Sequence, residues 1–370
     1  MTVNMDNYTP QPGTPIEELE TPCFILDMDS FEHNLGVVAE TYTSTVKMRA
    51  HTKNLKSPFL ANYQIKTGGT SGGICTAKVS EAEVMIEGGI TDILIPNQIV
   101  TPDKLNRLCS LARRADIKVC IAEPQNLRDI SRIASENNVT IGILVEVDTS
   151  MERGGIRQVE DGVELAKLTQ ALPNVEFRGV MSHQHVDGWP TLEERVNIGR
   201  KYVQMCLDVK DAIEAAGISV EIVSSGETFS YKIAAEMDGV TEVEGGTYAF
   251  MDTMLGFMDE FRYAGKLLGT VVSKPNANVA IGDVGLRSLC TINGEYGPSV
   301  EGVPGVKVRD LHDDHMVLYS EEAIPLRVGD TYTLIPGYQD GVVNRWDQII
   351  GIRDGVVEGV WDIPGRGCFY

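Results

Sequence analysis

Residues 116–147 read DIKVCIAEPQNLRDISRIASENNVTIGILVEV. Two runs rich in Ile and Val, IKVCIA and TIGILVEV, flank a segment, QNLRDISRIASEN, whose apolar residues fall at helical spacing. A strand, a helix and a strand in that order imply a parallel pair, because a helix-length crossover carries the chain back to the same end of the sheet.

The pattern repeats outward on both sides. Further strand-like runs are VKMRA near 47, GICTA near 73, DILI at 92, EFRGVM near 176, SVEIVSS near 219 and TEV at 241. Helix-like segments lie between them, among them SPFLANYQIK, TPDKLNRLCSLARR, EDGVELAKLTQAL and a long one from Thr191 to Ala216. Ser57 with Pro58, Ser80 and Thr101 stand where helices would start. Eight strand–helix units imply an α/β chain built on a closed (β/α)8 barrel, with an open doubly wound sheet as the alternative. After about residue 265 helical periodicity fades. Short strands bounded by Gly, Pro, Asn and Asp follow, which reads as an all-β C-terminal domain. The expected boundaries are 1–21 for a lead-in rich in Pro and Thr that can join the β domain, 22–262 for the barrel and 263–370 for the β domain.

The whole chain narrows the function classes. It has 370 residues and a net charge of −21. Such an acidic surface repels nucleic acid and anionic membranes. Its seven cysteines are scattered without CxxC spacing, against a disulfide framework or a thiolate zinc site. The N-terminal stretch lacks the basic and apolar regions of a signal peptide, and no run of 18 apolar residues occurs. The expected location is the cytoplasm, with no membrane and no nucleic acid as partner.

Chemistry in a parallel barrel gathers at the carboxyl ends of the strands. After the first run comes Arg49-Ala50-His51-Thr52-Lys53-Asn54-Leu55-Lys56. An amine there can attack an aldehyde once deprotonated, and neighbouring Arg49, His51 and Lys56 favour loss of its proton. Alone, such a cluster is more often a solvated basic loop. After the fifth run, Arg153-Gly154-Gly155 either presents a guanidinium to an anion or is a surface turn. After the sixth come His183 and His185, in Ser182–Gly188, which suit acid–base work, metal ligation or plain loop filling. After the seventh and eighth come Ser224-Ser225-Gly226-Glu227-Thr228 and Glu244-Gly245-Gly246-Thr247-Tyr248. Small hydroxyls and glycines in those two loops suit a phosphate. A strand-end lysine plus a phosphate cradle suits pyridoxal 5'-phosphate, PLP.

Several ordered segments then resemble one family. They are TPCFILDMDSFEHNL, RAHTKNLKSP, AKVSEAEVMIEGGITDILIPNQ, DTSMERGG, SSGETFSY, EGGTYAFMD and YSEEA…GDTYTLIPGYQDGVVN, from about Thr21 to Tyr370. Together they resemble the D-threonine aldolase / D-serine dehydratase family, fold type III PLP enzymes related to alanine racemase. The resemblance implies that Lys53, not Lys56, holds PLP as a Schiff base, with Arg153 at its phenolic oxygen. Ser225, Gly226, Gly246 and Thr247 would take the phosphate, with Tyr248 nearby. It also implies an alanine racemase-like barrel plus β domain, and a homodimer.

Three positions depart from the family pattern. Tyr338 stands where a metal-binding histidine is expected, which leaves Asp340 to hold a divalent ion such as Mg2+ or Mn2+. Ala323 follows Glu321-Glu322 where many members have histidine. His183 replaces a usual tyrosine on the pyridine side. The implied activity is a PLP-dependent lyase on a D-configured β-hydroxy-α-amino acid, cleaving it to glycine and an aldehyde, with Lys53, Tyr338, His51 and His183 as catalytic candidates. The alternatives are a dehydratase or ammonia-lyase of a D-hydroxy amino acid, a metal-independent racemase with Tyr338 as proton carrier, and a non-catalytic PLP carrier.

Overall fold

The computed structural model describes residues 8–42, 46–185, 190–292 and 296–370. The chain divides into two compact units. One comprises Gly36–Lys53, Pro58–Gly246 and Cys368–Tyr370, and the other Met1–Leu35, Asn54–Ser57 and Thr247–Gly367.

In chain order, strand β1 (Cys23–Asp27) and helix α1 (Met28–Thr41) come first. The first unit then carries β2 (Lys47–His51), β3 (Thr70–Cys75), β4 (Asp92–Ile95), β5 (Asp116–Ile121), β6 (Ile141–Glu146), β7 (Val175–Ser182), β8 (Ile222–Ser225) and β9 (Glu242–Val243). Each strand pairs in parallel with the next, and β2 also pairs in parallel with β9. That last pairing closes the barrel and rules out the open sheet. All eight strands coincide with the eight β-branched runs of the sequence.

Helices α2 (Pro58–Thr67), α3 (Val79–Glu87), α4 (Pro102–Leu111), α5 (Pro124–Glu136), α6 (Val159–Ala171), α7 (Leu192–Ala215) and α8 (Tyr231–Ala235) follow β2 to β8 in turn. α4 and α5 start on proline, whose missing N–H costs nothing in a first turn. α7 starts with a reciprocal cap: Thr191 Oγ1 accepts from Glu194 N at 3.2 Å, and Glu194 Oε2 accepts from Thr191 N at 3.1 Å. Ser80 does not cap α3 as the sequence suggested; it lies within the helix. The cap is Glu81, whose Oε2 accepts from the N–H of Ala77 at 2.7 Å and of Lys78 at 3.1 Å.

The barrel has a layered interior. Cys75, Leu94, Cys120, Leu144, Met181 and Ile222 form one buried cluster with a residue from each strand β3 to β8. A polar layer lies toward the amino ends of the strands. There Arg49 Nε meets Glu242 Oε1 at 2.7 Å, Arg49 Nη1 meets Asp92 Oδ1 at 2.8 Å, and Lys118 Nζ meets Asp92 Oδ1 at 2.8 Å. The guanidinium of Arg49 is thus spent on two carboxylates, so it is not the free positive neighbour of Lys53 that the sequence suggested.

The second unit holds one nine-stranded sheet. Its further strands are β10 (Gly265–Asn276), β11 (Val279–Gly282), β12 (Ser299–Val300), β13 (Lys307–Leu311), β14 (Met316–Tyr319), β15 (Thr331–Ile335), β16 (Gln348–Arg353) and β17 (Val356–Asp362). The order is β11-β14-β13-β12-β15-β10-β1-β16-β17. Pairing is antiparallel except between β1 and β16. Cys23–Asp27 therefore belongs to this sheet and not to the barrel strands. Its apolar side chains join a core of Cys23, Ile25, Leu268, Ile350, Ile352 and Val357.

All seven cysteines are free thiols. Among the described residues no helix is long and apolar enough to cross a membrane.

Candidate active site

A cavity of about 210 Å³ opens at the carboxyl ends of the barrel strands. His51 and Lys53 reach it from the end of β2, Ala77 and Lys78 from β3, Pro96 and Asn97 from β4, Arg153 from β6, Met181 and His183 from β7, and Glu244 from β9. Six strands thus deliver side chains to one place. Parallel strands in register make this unavoidable, since all their carboxyl ends share one face of the barrel.

Lys53 sits in a single 3-10 turn, Thr52–Asn54, directly after β2. The turn is tied on both sides: Thr52 Oγ1 donates to the Cys75 carbonyl at 3.0 Å, and Lys53 N donates to His51 Nδ1 at 3.3 Å. His51 N in turn donates to the Gly245 carbonyl at 2.9 Å, which joins the β2 end to the loop after β9.

Arg153 rides on a tight loop after β6. Asp148 Oδ1 accepts from the N–H of Met151 and of Glu152, each at 3.1 Å, and its Oδ2 accepts from Arg157 Nε at 3.1 Å. Gly155 closes the loop at φ +95°, and a Cβ there would lie 2.6 Å from Asp148 N, so only glycine fits. The loop is also fastened to the one after β7: Thr149 Oγ1 donates to the His183 carbonyl at 2.9 Å, and His185 N to Ser150 Oγ at 3.1 Å. Val186, Asp187 and Gly188 lie outside the described residues.

Electrostatics divide the titratable groups. Burial, then the positive charges of Lys53, Arg153 and His185, push His183 down to about 3, so its ring stays neutral. Burial and the charge of Glu242 push Glu244 up to about 7, against hydrogen bonds from Ser224 and Cys75. Glu146, at the end of β6, is also raised, chiefly by burial; its carboxylate bonds to the Gln98 side chain.

The expected phosphate residues divide between the units. Ser225 ends β8, beside β9, Gly226 follows it, and Gly246 comes after β9 in the same unit. Ser225 Oγ is buried and pairs with Ser182 Oγ at 2.8 Å. Gly226 has φ +112°, and a Cβ there would lie 2.9 Å from Ser230 Oγ. Thr247 and Tyr248 open the other unit. There Tyr248 is buried, with its ring 6.1 Å from that of Phe261. Tyr338 and Asp340 also lie in that unit, where Tyr338 Oη donates to Asp340 Oδ2 at 3.2 Å.

These residues fit PLP. An amine, a guanidinium and a titratable carboxyl line one cavity, and the turn after β8 carries a glycine, Gly226, whose added Cβ would meet Ser230 Oγ. The metal expectation fits less well. Among the described residues no group of three or more His, Cys, Asp and Glu is placed to hold an ion. A neutral phenol bonded to one carboxylate is a weak donor set for a divalent cation.

Lys78, Asn97 and Glu244 were not singled out by sequence reasoning. The strand-end rule that found Lys53 also reaches the first two, since they follow the runs GICTA and DILI. Glu244 lies two residues beyond Glu242, the period that puts both on the barrel's inner side.

The barrel matches the family profile described as "Alanine racemase, N-terminal domain" over residues 26–254, and residues 264–352 match "Putative serine dehydratase domain". The chain is 34% identical to a 3-hydroxy-D-aspartate aldolase of Paracoccus denitrificans (strain Pd 1222), over 97% of this chain and 95% of that one. It is 34% identical to a D-threonine aldolase of an Arthrobacter species, over 96% of this chain and 95% of that one. The crystal structure of D-threonine aldolase from Filomicrobium marinum superimposes with a TM-score of 0.93 at 30% identity, covering 98% of this chain and all, 100%, of that one.

Proposed function

The chain belongs to the family of D-threonine aldolases and 3-hydroxy-D-aspartate aldolases, within the alanine racemase-like proteins, and from that membership we propose that it is a PLP-dependent lyase cleaving a D-configured β-hydroxy-α-amino acid to glycine and an aldehyde. The observation that carries the reading is the barrel-mouth cavity in which Lys53, Arg153, His183 and Glu244 meet.

PLP, when bound, supplies an aldehyde for an amine and an electron sink for the bond that breaks. Lys53 is the residue proposed to hold it, and the tied turn around Lys53 limits the positions its amine can take. Ser225, Gly226, Gly246 and Thr247 are proposed to bind the phosphate with neutral donors, and Arg153 to face the ring oxygen with a fixed positive charge.

Retro-aldol cleavage requires that the β-hydroxyl lose its proton. A group suited to that exchange has a proton affinity near the working pH. Glu244, near 7, is matched to the task, whereas His183, near 3, stays neutral and serves as a hydrogen-bond acceptor. Tyr338, bonded to Asp340, is proposed as a second proton carrier. A homodimer in the cytoplasm remains part of the proposal.

Product analysis tests it. The purified enzyme, supplied with PLP and offered D-threonine and 3-hydroxy-D-aspartate, should release glycine and an aldehyde. Release of a 2-oxo acid and ammonia would reassign it as a dehydratase. Formation of the other enantiomer alone would make it a racemase.

A further inference from the structure

Gln184 lies just past the end of β7. Met181 and His183 line the cavity, whereas Ser182, between them, turns to the next strand and shares a hydrogen bond with Ser225 Oγ at 2.8 Å. Gln184 follows Ser182 by two residues, the spacing that returns a side chain to the same side of an extended chain. The residue is 1% exposed, and neither its Nε2 nor its Oε1 has a hydrogen-bond partner. Among the described residues it is the one buried amide unpaired at both atoms. An amide buried without partners is costly, so a fold retains one only where something else pairs with it.

Its surroundings lead to the turn after β8. A Cβ added at Gly199 of α7 would lie 3.8 Å from Gln184 Oε1 and 3.8 Å from Ser230 Cβ, so the two side chains border one small space. Ser230 Oγ accepts from Glu227 N at 3.0 Å and would lie 2.9 Å from a Cβ at Gly226. Ser230 therefore links Gln184 to Gly226. The loop after β9 closes on the same turn, since a Cβ at Gly245 would lie 3.5 Å from Thr228 Oγ1. Residues 225–230, SGETFS, contain one carboxylate and no Lys or Arg. A phosphate offers three strong acceptor oxygens, and an uncharged amide with two N–H donors adds to what such a turn can supply.

We propose that Gln184 is a further phosphate-binding residue, whose side-chain amide donates to the phosphate group of the cofactor at the turn Ser225–Ser230. This rests on the PLP reading above and adds a residue to it. Gln184 takes no part in the chemistry. What it changes is affinity for a phosphate-bearing cofactor over one without phosphate.

The test compares full-length wild type and Gln184→Met, each freed of cofactor, in titrations with PLP and with pyridoxal, which has the same ring and aldehyde but no phosphate. Affinity is read from the visible absorbance of the bound ring. Wild type should bind PLP far more tightly than pyridoxal. Gln184→Met should weaken PLP by about 10- to 100-fold, the range for one hydrogen bond to a charged group. Pyridoxal should change by no more than about twofold. Thermal unfolding gives a second readout. Inorganic phosphate should raise the Tm of cofactor-free wild type, and that of Gln184→Met less. Without any ligand, Gln184→Met should unfold at or above the wild-type Tm, because it removes an unpaired buried amide. Equal weakening of PLP and pyridoxal would make Gln184 a residue that shapes the pocket and overturn the proposal. Unchanged PLP affinity would overturn it as well. A lowered ligand-free Tm, with both compounds bound as by wild type, would assign the amide to the fold instead. If wild type binds neither compound, the cofactor reading itself fails, an outcome distinct from wild-type binding that Gln184→Met leaves intact.

Discussion

Ser224 and Glu244 are bonded across the end of the barrel, with Ser224 Oγ donating to Glu244 Oε1 at 3.0 Å and both side chains buried. One hydrogen bond does not offset burial and the nearby charge of Glu242, so the Glu244 carboxyl rises from 4.5 to about 7.

That shift links stability to pH. Between pH 4.5 and about 7 the folded chain keeps a proton on Glu244 that the unfolded chain has released, so stability falls as pH rises through this window and levels off above it. Glu244→Gln should remove this component. Relative to wild type it should gain at pH 8, by up to about 3 kcal/mol, and lose that gain toward pH 5. Thermal unfolding of both proteins in the same cofactor state would check this, and parallel curves would refute it.

Arg49 is expected to be structural. It is 3% exposed and holds Glu242 and Asp92. Arg49→Met strands buried negative charge and should cost about 3–5 kcal/mol. A urea midpoint within error of wild type would show that the carboxylates find other partners.

Lys53→Ala should abolish the visible absorbance of bound PLP and lower activity by about a thousandfold or more. Lys56→Ala should keep both. Lys56 lies in the other unit, in the left-handed region at φ 51° and buried. If Lys56→Ala loses the band and Lys53→Ala keeps it, the assignment of the two lysines is reversed.

Glu81→Ala should remove the acceptor for two N–H groups at the start of α3 and cost about 1–2 kcal/mol. Because Lys53 lies on the preceding strand end and not on this turn, the cofactor band should stay. Unfolding in urea at the wild-type midpoint would show that the two N–H groups find other acceptors.

Local signals carried much of the architecture. The eight β-branched runs and the helical segments between them can be read within short windows, and each run became a barrel strand. Lys53 and Arg153 were found by the same route, because a residue after such a run must emerge at the barrel mouth. The start of α3 was misread at Ser80, since a serine in a first turn looks like a cap until its hydroxyl is seen to bond the distant Tyr370 carbonyl.

The sequence by itself determined an eight-unit parallel barrel with a β-rich continuation, a strand-end lysine and the family resemblance, because periodicity, punctuation and ordered motifs are properties of the chain. Tertiary structure alone decided that β1 completes the nine-stranded sheet, that Arg49 is spent on Glu242 and Asp92, that burial pushes Glu244 up to about 7 and that Lys78 lines the cavity. Those outcomes depend on burial and on charges brought together from segments far apart in the chain. Coulomb and desolvation energies follow distance and exposure in space, which the order of residues does not record.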